Sequence, residues 1–164
     1  MRNILIFVAG IILMVTACSK KEEPKIQSLS KEAVAETHHC ANCGMITNEY
    51  PVWEKTMVSA DHGTEYFDSA KCMFMVILDS AKAPGQISEI ITKDFITSNE
   101  LDARDAYYVM GSDVMGPMGK DLVSFGSRNA AQTFVSEHGG DEVLEFSDIN
   151  MAVIQKLNGK MMMK

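Results

Sequence analysis

The stretch His38-His39-Cys40-Ala41-Asn42-Cys43-Gly44-Met45 is the segment around which the chain is organised. Its eight positions hold two imidazoles, two thiols and a thioether. Soft sulfur ligands select monovalent copper, zinc or iron–sulfur clusters over hard cations. Redox dithiols, zinc knuckles and haem attachment sites also use Cys-x-x-Cys, but haem attachment needs His after the second Cys, where this chain has Gly44. The motif therefore predicts a soft metal site or a redox dithiol.

The residues Cys43, Gly44 and Met45 narrow the choice of metal. Glycine readily adopts positive φ, so the side chains on either side of Gly44 can point at the same ion. A thiolate with a thioether suits Cu(I) and suits zinc poorly, because zinc sites draw on Cys, His and carboxylate. We predict a copper site with Cys43 and Met45 as ligands, to which Cys40 can add a second thiolate. His39 is a further candidate ligand, and a solvated loop histidine is its alternative.

Three cysteines remain after the N-terminal segment, and the alternatives to a copper site use them. Cys40 and Cys43 can form a disulfide, or act as a thiol–disulfide oxidoreductase. Redox pairs usually open a helix after a strand, whereas a polar segment precedes this one. A zinc-stabilised interaction module would use Cys40, Cys43, a histidine and Cys72, but the chain has no second Cys-x-x-Cys pair.

Two further candidate sulfur ligands lie outside the motif. Met118 is in a glycine-rich segment, 111–120, where a methionine has little core to fill, so ligand and packing roles both stay open. Cys72 stands at helical spacing among apolar residues, which favours a packed helix face, although it is kept as a candidate ligand. No Ser-His-Asp order, phosphate-binding glycine loop or paired carboxylates are evident, and we predict that the protein is not an enzyme.

The N-terminus predicts export and lipidation. An apolar run of about twelve residues, 4–15, has the length of a signal-peptide core and is too short to cross a hydrocarbon layer of ~30 Å. The sequence Val15-Thr16-Ala17-Cys18 is similar to a bacterial lipobox, so residues 1–17 are predicted to be a signal peptide and Cys18 to carry lipid. An uncleaved anchor helix is the alternative. We expect an extracytoplasmic protein anchored to a bacterial membrane, with the outer membrane favoured, through a disordered tether over 18–37.

Composition and charge limit the partners. The formal net charge is −7 and becomes −8 once the signal peptide with its single Arg2 is removed. Such a surface discourages nucleic-acid binding and is compatible with a cationic cargo.

A weak internal repeat predicts the fold class. Phe67-x-Ser69 before one predicted helix is matched by Phe125-x-Ser127 before another, 58 residues later. We predict an α+β fold of two small related ββαβ-type halves, packed or tethered together, over 38–98 and 99–164. The predicted strands are 54–59, 65–67, 87–97, 106–110, 121–125 and 142–146, and the predicted helices are 70–78, 128–137 and 148–156, with a loop at 111–120.

Taken together, these motifs resemble those of the NosL copper-binding lipoproteins. The resemblance rests on the lipobox, Cys40-Ala-Asn-Cys43-Gly-Met45, Tyr66-Phe67-Asp68-Ser69 before a helix, and Gly116-Pro117-Met118-Gly119. It covers nearly all of the chain after the signal peptide, but Cys72 is not part of the family pattern.

The resemblance implies a Cu(I)-binding accessory protein that supplies copper for assembling nitrous oxide reductase. It implies Cys43, Met45 and Met118 as ligands, with Cys40 or a nearby histidine such as His39 optional. The expected partners are the copper ion, the membrane through the lipid on Cys18, and a copper-accepting protein or ABC transporter of the nitrous oxide reductase assembly system.

Overall fold

The computed structural model describes residues 36–159. The predicted signal peptide, the lipidation site Cys18 and most of the predicted tether therefore lie outside the described residues. All of these described residues belong to one compact unit. Among the helices of 36–159, none has the length and apolar character needed to cross a bilayer.

The described residues form seven strands and three helices, with a short 3-10 helix near the end of the chain. The strands are β1 (Lys55–Ser59), β2 (Gly63–Phe67), β3 (Ile87–Lys93), β4 (Glu100–Asp102), β5 (Tyr107–Gly116), β6 (Gly119–Phe125) and β7 (Glu142–Glu145). The helices are α1 (Ala70–Ile77), α2 (Arg128–His138) and α3 (Met151–Leu157), and the 3-10 helix spans Phe146–Asp148.

The two sheets have the same topology, which confirms the predicted α+β fold of two ββαβ-type halves. The first sheet has the order β2-β1-β3-β4 and the second the order β6-β5-β7. In each sheet the first strand in sequence is paired on one side with its hairpin partner and on the other with the strand that follows the helix, and all pairs are antiparallel. Strand β4 extends the first sheet by pairing with β3.

The repeated Phe-x-Ser pattern has the same physical role in both halves. Phe67 and Phe125 end the second strand of each hairpin and are fully buried. Ser69 and Ser127 then serve as N-caps. Each hydroxyl accepts a hydrogen bond from the amide three residues later in the chain, that of Cys72 or Ala130. An N-cap serine satisfies an amide that the helix itself leaves unpaired, so each helix begins where the sequence predicts.

The halves are packed together rather than merely tethered. The larger cluster of buried apolar side chains joins Met57 and Phe74 of the first half to Tyr108 and Leu122 of the second. A second cluster places Trp53 among side chains of β5, β6 and α2. The hairpin of β5 and β6 therefore lies against the N-terminal end of α1, where the candidate ligands are found.

The largest errors in the predicted elements are at two places, while β4 is not predicted and α3 begins three residues later than predicted. The strand predicted over 87–97 ends at Lys93, because the Asp94 carboxylate accepts hydrogen bonds from the amides of Ile96 and Thr97 and closes a turn. The loop predicted over 111–120 is instead the continuation of β5 and the start of β6. Its glycines are typical of a loop in sequence. In the structure, however, Gly111 has φ +87° and lies where the register of β5 and β6 shifts. Glycine is common at such irregularities within strands.

Candidate metal centre

Three thiols and one carboxylate converge at one end of α1. The sulfur atoms of Cys40, Cys43 and Cys72 and a carboxylate oxygen of Asp68 all lie within 4.8 Å of one another. Within residues 36–159, no other group of three or more His, Cys, Asp or Glu side chains meets in this way. The first half of the chain thus brings together four donor atoms from two segments that are distant in sequence.

The first segment is a tight turn built by the Cys-x-x-Cys-Gly motif. The Cys40 amide donates to the Met45 carbonyl and the Gly44 amide to the Cys40 carbonyl, each at 2.8 Å. Gly44 has φ +80°, a conformation that L side chains rarely adopt. The turn is attached to β2, because the Ala41 amide donates to the Tyr66 carbonyl at 2.8 Å. It places the Cys40 thiol in the interior and leaves Cys43 exposed.

The second segment is the start of α1. Asp68 directly precedes the N-cap residue Ser69 and Cys72 is the third residue of the helix, so both side chains lie at its N-terminal end. Both are buried, with Asp68 fully inaccessible. A helix N-terminus favours negative charge, which suits a carboxylate and thiolates at this position.

Hydrogen bonding inside the cluster shifts the acidities of its thiols. The hydrogen bond from the Cys72 thiol lowers the pKa of Cys40 to about 6, although burial acts in the opposite direction. The same contact raises the pKa of Cys72, which keeps the shared proton. The Cys40 sulfur also lies 3.1 Å from Asp68 Oδ1, and donation to this carboxylate opposes ionisation of Cys40. Cys43 is exposed as a residue, but partial desolvation of its sulfur, with the nearby Cys40 and Asp68, raises its pKa.

Met118 of the second half reaches the same cluster. It lies in the turn between β5 and β6, its side chain is 47% exposed, and its Sδ is 4.0 Å from the Cys72 Sγ. Lys71 holds this turn in place, since its Nζ donates to the carbonyls of Met118 at 3.2 Å and Lys120 at 2.7 Å. The Lys71 amide in turn donates to the carboxylate of Asp121 at 2.9 Å. A thioether from the second half is therefore fixed beside the thiols of the first.

The remaining sequence-predicted candidates have other contacts. The Met45 side chain is partly buried and packs against the larger core cluster. His39 is exposed and its Nδ1 is 3.2 Å from the Gly44 carbonyl oxygen, within its own turn. Neither residue belongs to the four-donor cluster, and their ligand roles stay predictions.

The sequence predicts no ligand role for Asp68, and it favours a packed helix face for Cys72 while keeping this residue as a candidate ligand. Burial is as expected, but the Cys72 thiol faces the other thiols instead of only filling the core. The available signal in the sequence is that Asp68 and Cys72 both lie at the predicted start of one helix. The chain has no second Cys-x-x-Cys pair, so the sequence offers Cys72 only in the zinc alternative and does not identify Asp68 as a partner of the motif.

Asn42, inside the motif, covers the helix side of the cluster. Its Nδ2 is 3.5 Å from the Cys72 Sγ and 3.8 Å from the Met75 Sδ. The whole arrangement can bind a soft or borderline cation. It offers sulfur donors for Cu(I), and a set of three thiolates and one carboxylate of the kind that also suits zinc.

Comparisons with known proteins agree with this chemistry. The model of the NosL family matches residues 31–154. The copper-binding lipoprotein NosL of Stutzerimonas stutzeri is 30% identical over 148 residues, which are 86% of this chain and 76% of that protein. The crystal structure of the copper chaperone NosL from Shewanella denitrificans has a TM-score of 0.65 and 27% identity, and the match covers 75% of this chain and 97% of that one. Neither relative is described as an enzyme.

Proposed function

This chain belongs to the NosL family, and from that premise we propose that it is a Cu(I) carrier held outside the cytoplasm by a lipid on Cys18. Its cargo is a single copper ion. The proposed ligands are Cys43, Met45 and Met118 together with Cys40, and the geometry supports adding Cys72.

The observation that carries this proposal is the approach of sulfur atoms from both halves. The Met118 thioether is 4.0 Å from the Cys72 thiol, which is itself within 4.8 Å of the Cys40 and Cys43 thiols. Such a donor set matches the soft-ligand preference of Cu(I). A thioether needs no deprotonation and forms no disulfide, so it keeps its affinity in an oxidising compartment.

The uneven exposure of the donors supports transfer of the ion to a partner. Cys40 and Cys72 are buried, whereas Cys43 and Met118 are exposed. An acceptor can approach from this open side and replace the exposed ligands one at a time while the buried thiols still hold the ion. We propose that the acceptor is a copper-accepting protein or ABC transporter of nitrous oxide reductase maturation. The carrier itself is proposed to be anchored to a bacterial membrane, and among the membranes the outer one is favoured.

The accessibility and the pKa shifts of Cys40 and Cys43 argue against the thiol–disulfide oxidoreductase alternative. An attacking thiol must be accessible and is most reactive when its pKa is lowered. Here the accessible thiol, Cys43, has a raised pKa because its sulfur is partly desolvated and lies near Cys40 and Asp68, and the thiol with the lowered pKa, Cys40, is buried. The two properties are divided between two residues, which leaves neither suited to attack a substrate disulfide.

An anaerobic Cu(I) titration against a chromophoric chelator tests the proposal. We expect the wild-type chain to bind one Cu(I), and Cys43→Ser and Met118→Leu each to weaken binding by roughly 10-fold or more through loss of a ligand. Met151→Leu is the matched control, because Met151 is 42% exposed on α3, much as Met118 is at its turn. Unchanged affinity in both ligand variants would refute the proposed site.

A further inference from the structure

The buried carboxylate of Asp68 has no role in a site made of sulfur alone. Its side chain is fully inaccessible and its Oδ1 is 3.1 Å from the Cys40 sulfur. Its Oδ2 is buried and has no hydrogen-bond partner within the described part of the chain. No lysine, arginine or histidine of residues 36–159 forms a salt bridge with it. Buried carboxylates are normally paired, so this one lacks a cation.

The spacing of the four donor atoms is close to the spacing that a tetrahedral zinc ion requires. Zinc lies about 2.3 Å from thiolate sulfur and about 2.0–2.2 Å from carboxylate oxygen, so its ligand atoms are separated by roughly 3.5–3.8 Å. The four donor atoms here all lie within 4.8 Å of one another. Small side-chain rotations about the ion would close the remaining distance. The two-residue gap between Cys40 and Cys43 is also one that structural zinc sites use.

Charge and donor type separate this set from the copper ligands. Cu(I) prefers soft sulfur and gains little from a carboxylate oxygen, whereas Zn²⁺ binds both. Three thiolates and one carboxylate carry four negative charges, of which a divalent ion neutralises two and a monovalent ion only one. Because buried uncompensated charge is costly, the complete four-donor set favours the divalent ion.

From these observations we propose that Cys40, Cys43, Cys72 and Asp68 form a tetrahedral Zn²⁺ site. It shares its thiols with the proposed copper site, so the chain can bind zinc or copper but not both at once. Asp68 is a ligand of zinc only, and Met118 is a ligand of copper only. The inference does not depend on copper being the cargo, since the four donors come from the first half of the chain.

The full chain, reduced and freed of metal in detergent, tests the inference with Zn²⁺ and with Co²⁺ as its coloured substitute. We expect one Zn²⁺ per chain, and absorption bands of tetrahedral cobalt bound by thiolates. Asp68→Asn should weaken zinc binding by roughly 100-fold, because even partners that do not touch a metal are worth about 10–100-fold. Cu(I) binding should weaken by a clearly smaller factor, because Asp68 contacts the Cys40 thiol without binding copper. Met118→Leu should show the reverse pattern, with weakened Cu(I) and unchanged zinc.

The outcomes separate this inference from the proposed function. A wild-type chain that binds no zinc, or an Asp68→Asn chain that binds it as tightly as wild type, overturns the zinc site. Failure of Cu(I) binding alone, with the zinc results as expected, overturns the copper carrier and leaves the zinc site standing.

A measurement on the wild-type chain avoids reliance on the folding of Asp68→Asn. Cadmium-113 substitutes for zinc, and its NMR chemical shift reports the donor atoms directly. We expect the range of three sulfur donors and one oxygen donor. A shift in the range of four sulfurs, or of oxygen and nitrogen donors, overturns the proposed ligand set.

Discussion

Lys55 is a cation held almost entirely out of water. Its side chain is 1% exposed, and its Nζ donates to the Val52 carbonyl at 3.2 Å. Burial lowers the pKa of Lys55 to about 7, and attraction to Asp121 offsets only part of this shift. A charged amine at this position therefore opposes folding, since the unfolded chain solvates it fully.

The consequence is a pH dependence of stability with a defined sign. Between pH 7 and about 10.5 the unfolded chain binds a proton at Lys55 that the folded chain has released, so the free energy of unfolding rises with pH. Below pH 7 both states are protonated and the full cost of burial applies. We expect Lys55→Met to raise the free energy of unfolding by on the order of a few kcal/mol at pH 7, with a smaller gain at pH 10.

Denaturant unfolding of the metal-free, reduced chain between pH 6 and 10 measures this effect. The difference between Lys55→Met and wild type isolates Lys55 from the titrating thiols. Lys120→Met, at an exposed lysine, should leave the pH dependence of the wild type unchanged. A Lys55→Met chain whose stability rises with pH as steeply as that of wild type would contradict the account.

Among the helices, α1 and α2 provide a natural comparison because the same residue type begins both. The Ser69 hydroxyl accepts from the Cys72 amide at 3.3 Å, and the Ser127 hydroxyl accepts from the Ala130 amide at 3.2 Å. Ser69 is buried beside the candidate metal centre, whereas Ser127 is exposed in the other half. The two caps are alike in geometry and differ in what their helices carry.

We predict different effects for the two cap variants. Ser127→Ala should lower the free energy of unfolding by about 1 kcal/mol and leave Cu(I) affinity unchanged. Ser69→Ala should cost up to about 2 kcal/mol and also weaken Cu(I) binding, because the first turn of α1 positions the Cys72 thiol. Chelator competition and thermal unfolding measure both effects. Equal copper affinities in the two variants would contradict the positioning role of Ser69.

Local chemistry explains which elements could be predicted from the sequence. The starts of α1 and α2 follow from their capping serines, and the strands from short β-branched runs between turns. The hairpin at 111–120 was missed because its glycines look like those of a loop, while the pairing of Met115 with Lys120 and Gly116 with Gly119 depends on a partner strand. The strand after α1 was predicted too long, because the turn made by Asp94 is specified by side-chain hydrogen bonds.

For the whole molecule, the contacts between the two halves determine the candidate site. Lys71 and Asp121 join the start of α1 to the hairpin of β5 and β6, and this contact brings Met118 beside Cys72. The sequence predicted Cys40, Cys43 and Met118 as candidates from their local motifs. It could not predict that Asp68 and Cys72 face the same point, since their meeting depends on how the Cys40–Met45 turn packs on α1.

The proposed function requires that one copper ion binds sulfur from both halves of the chain. X-ray absorption at the copper edge tests it directly when the methionines are replaced by selenomethionine and Met45→Leu removes the other predicted thioether. We predict copper–selenium scattering in this chain at one bound Cu(I), and its loss when Met118→Leu is added. A copper shell without selenium, or selenium scattering that persists in the double variant, would contradict the account.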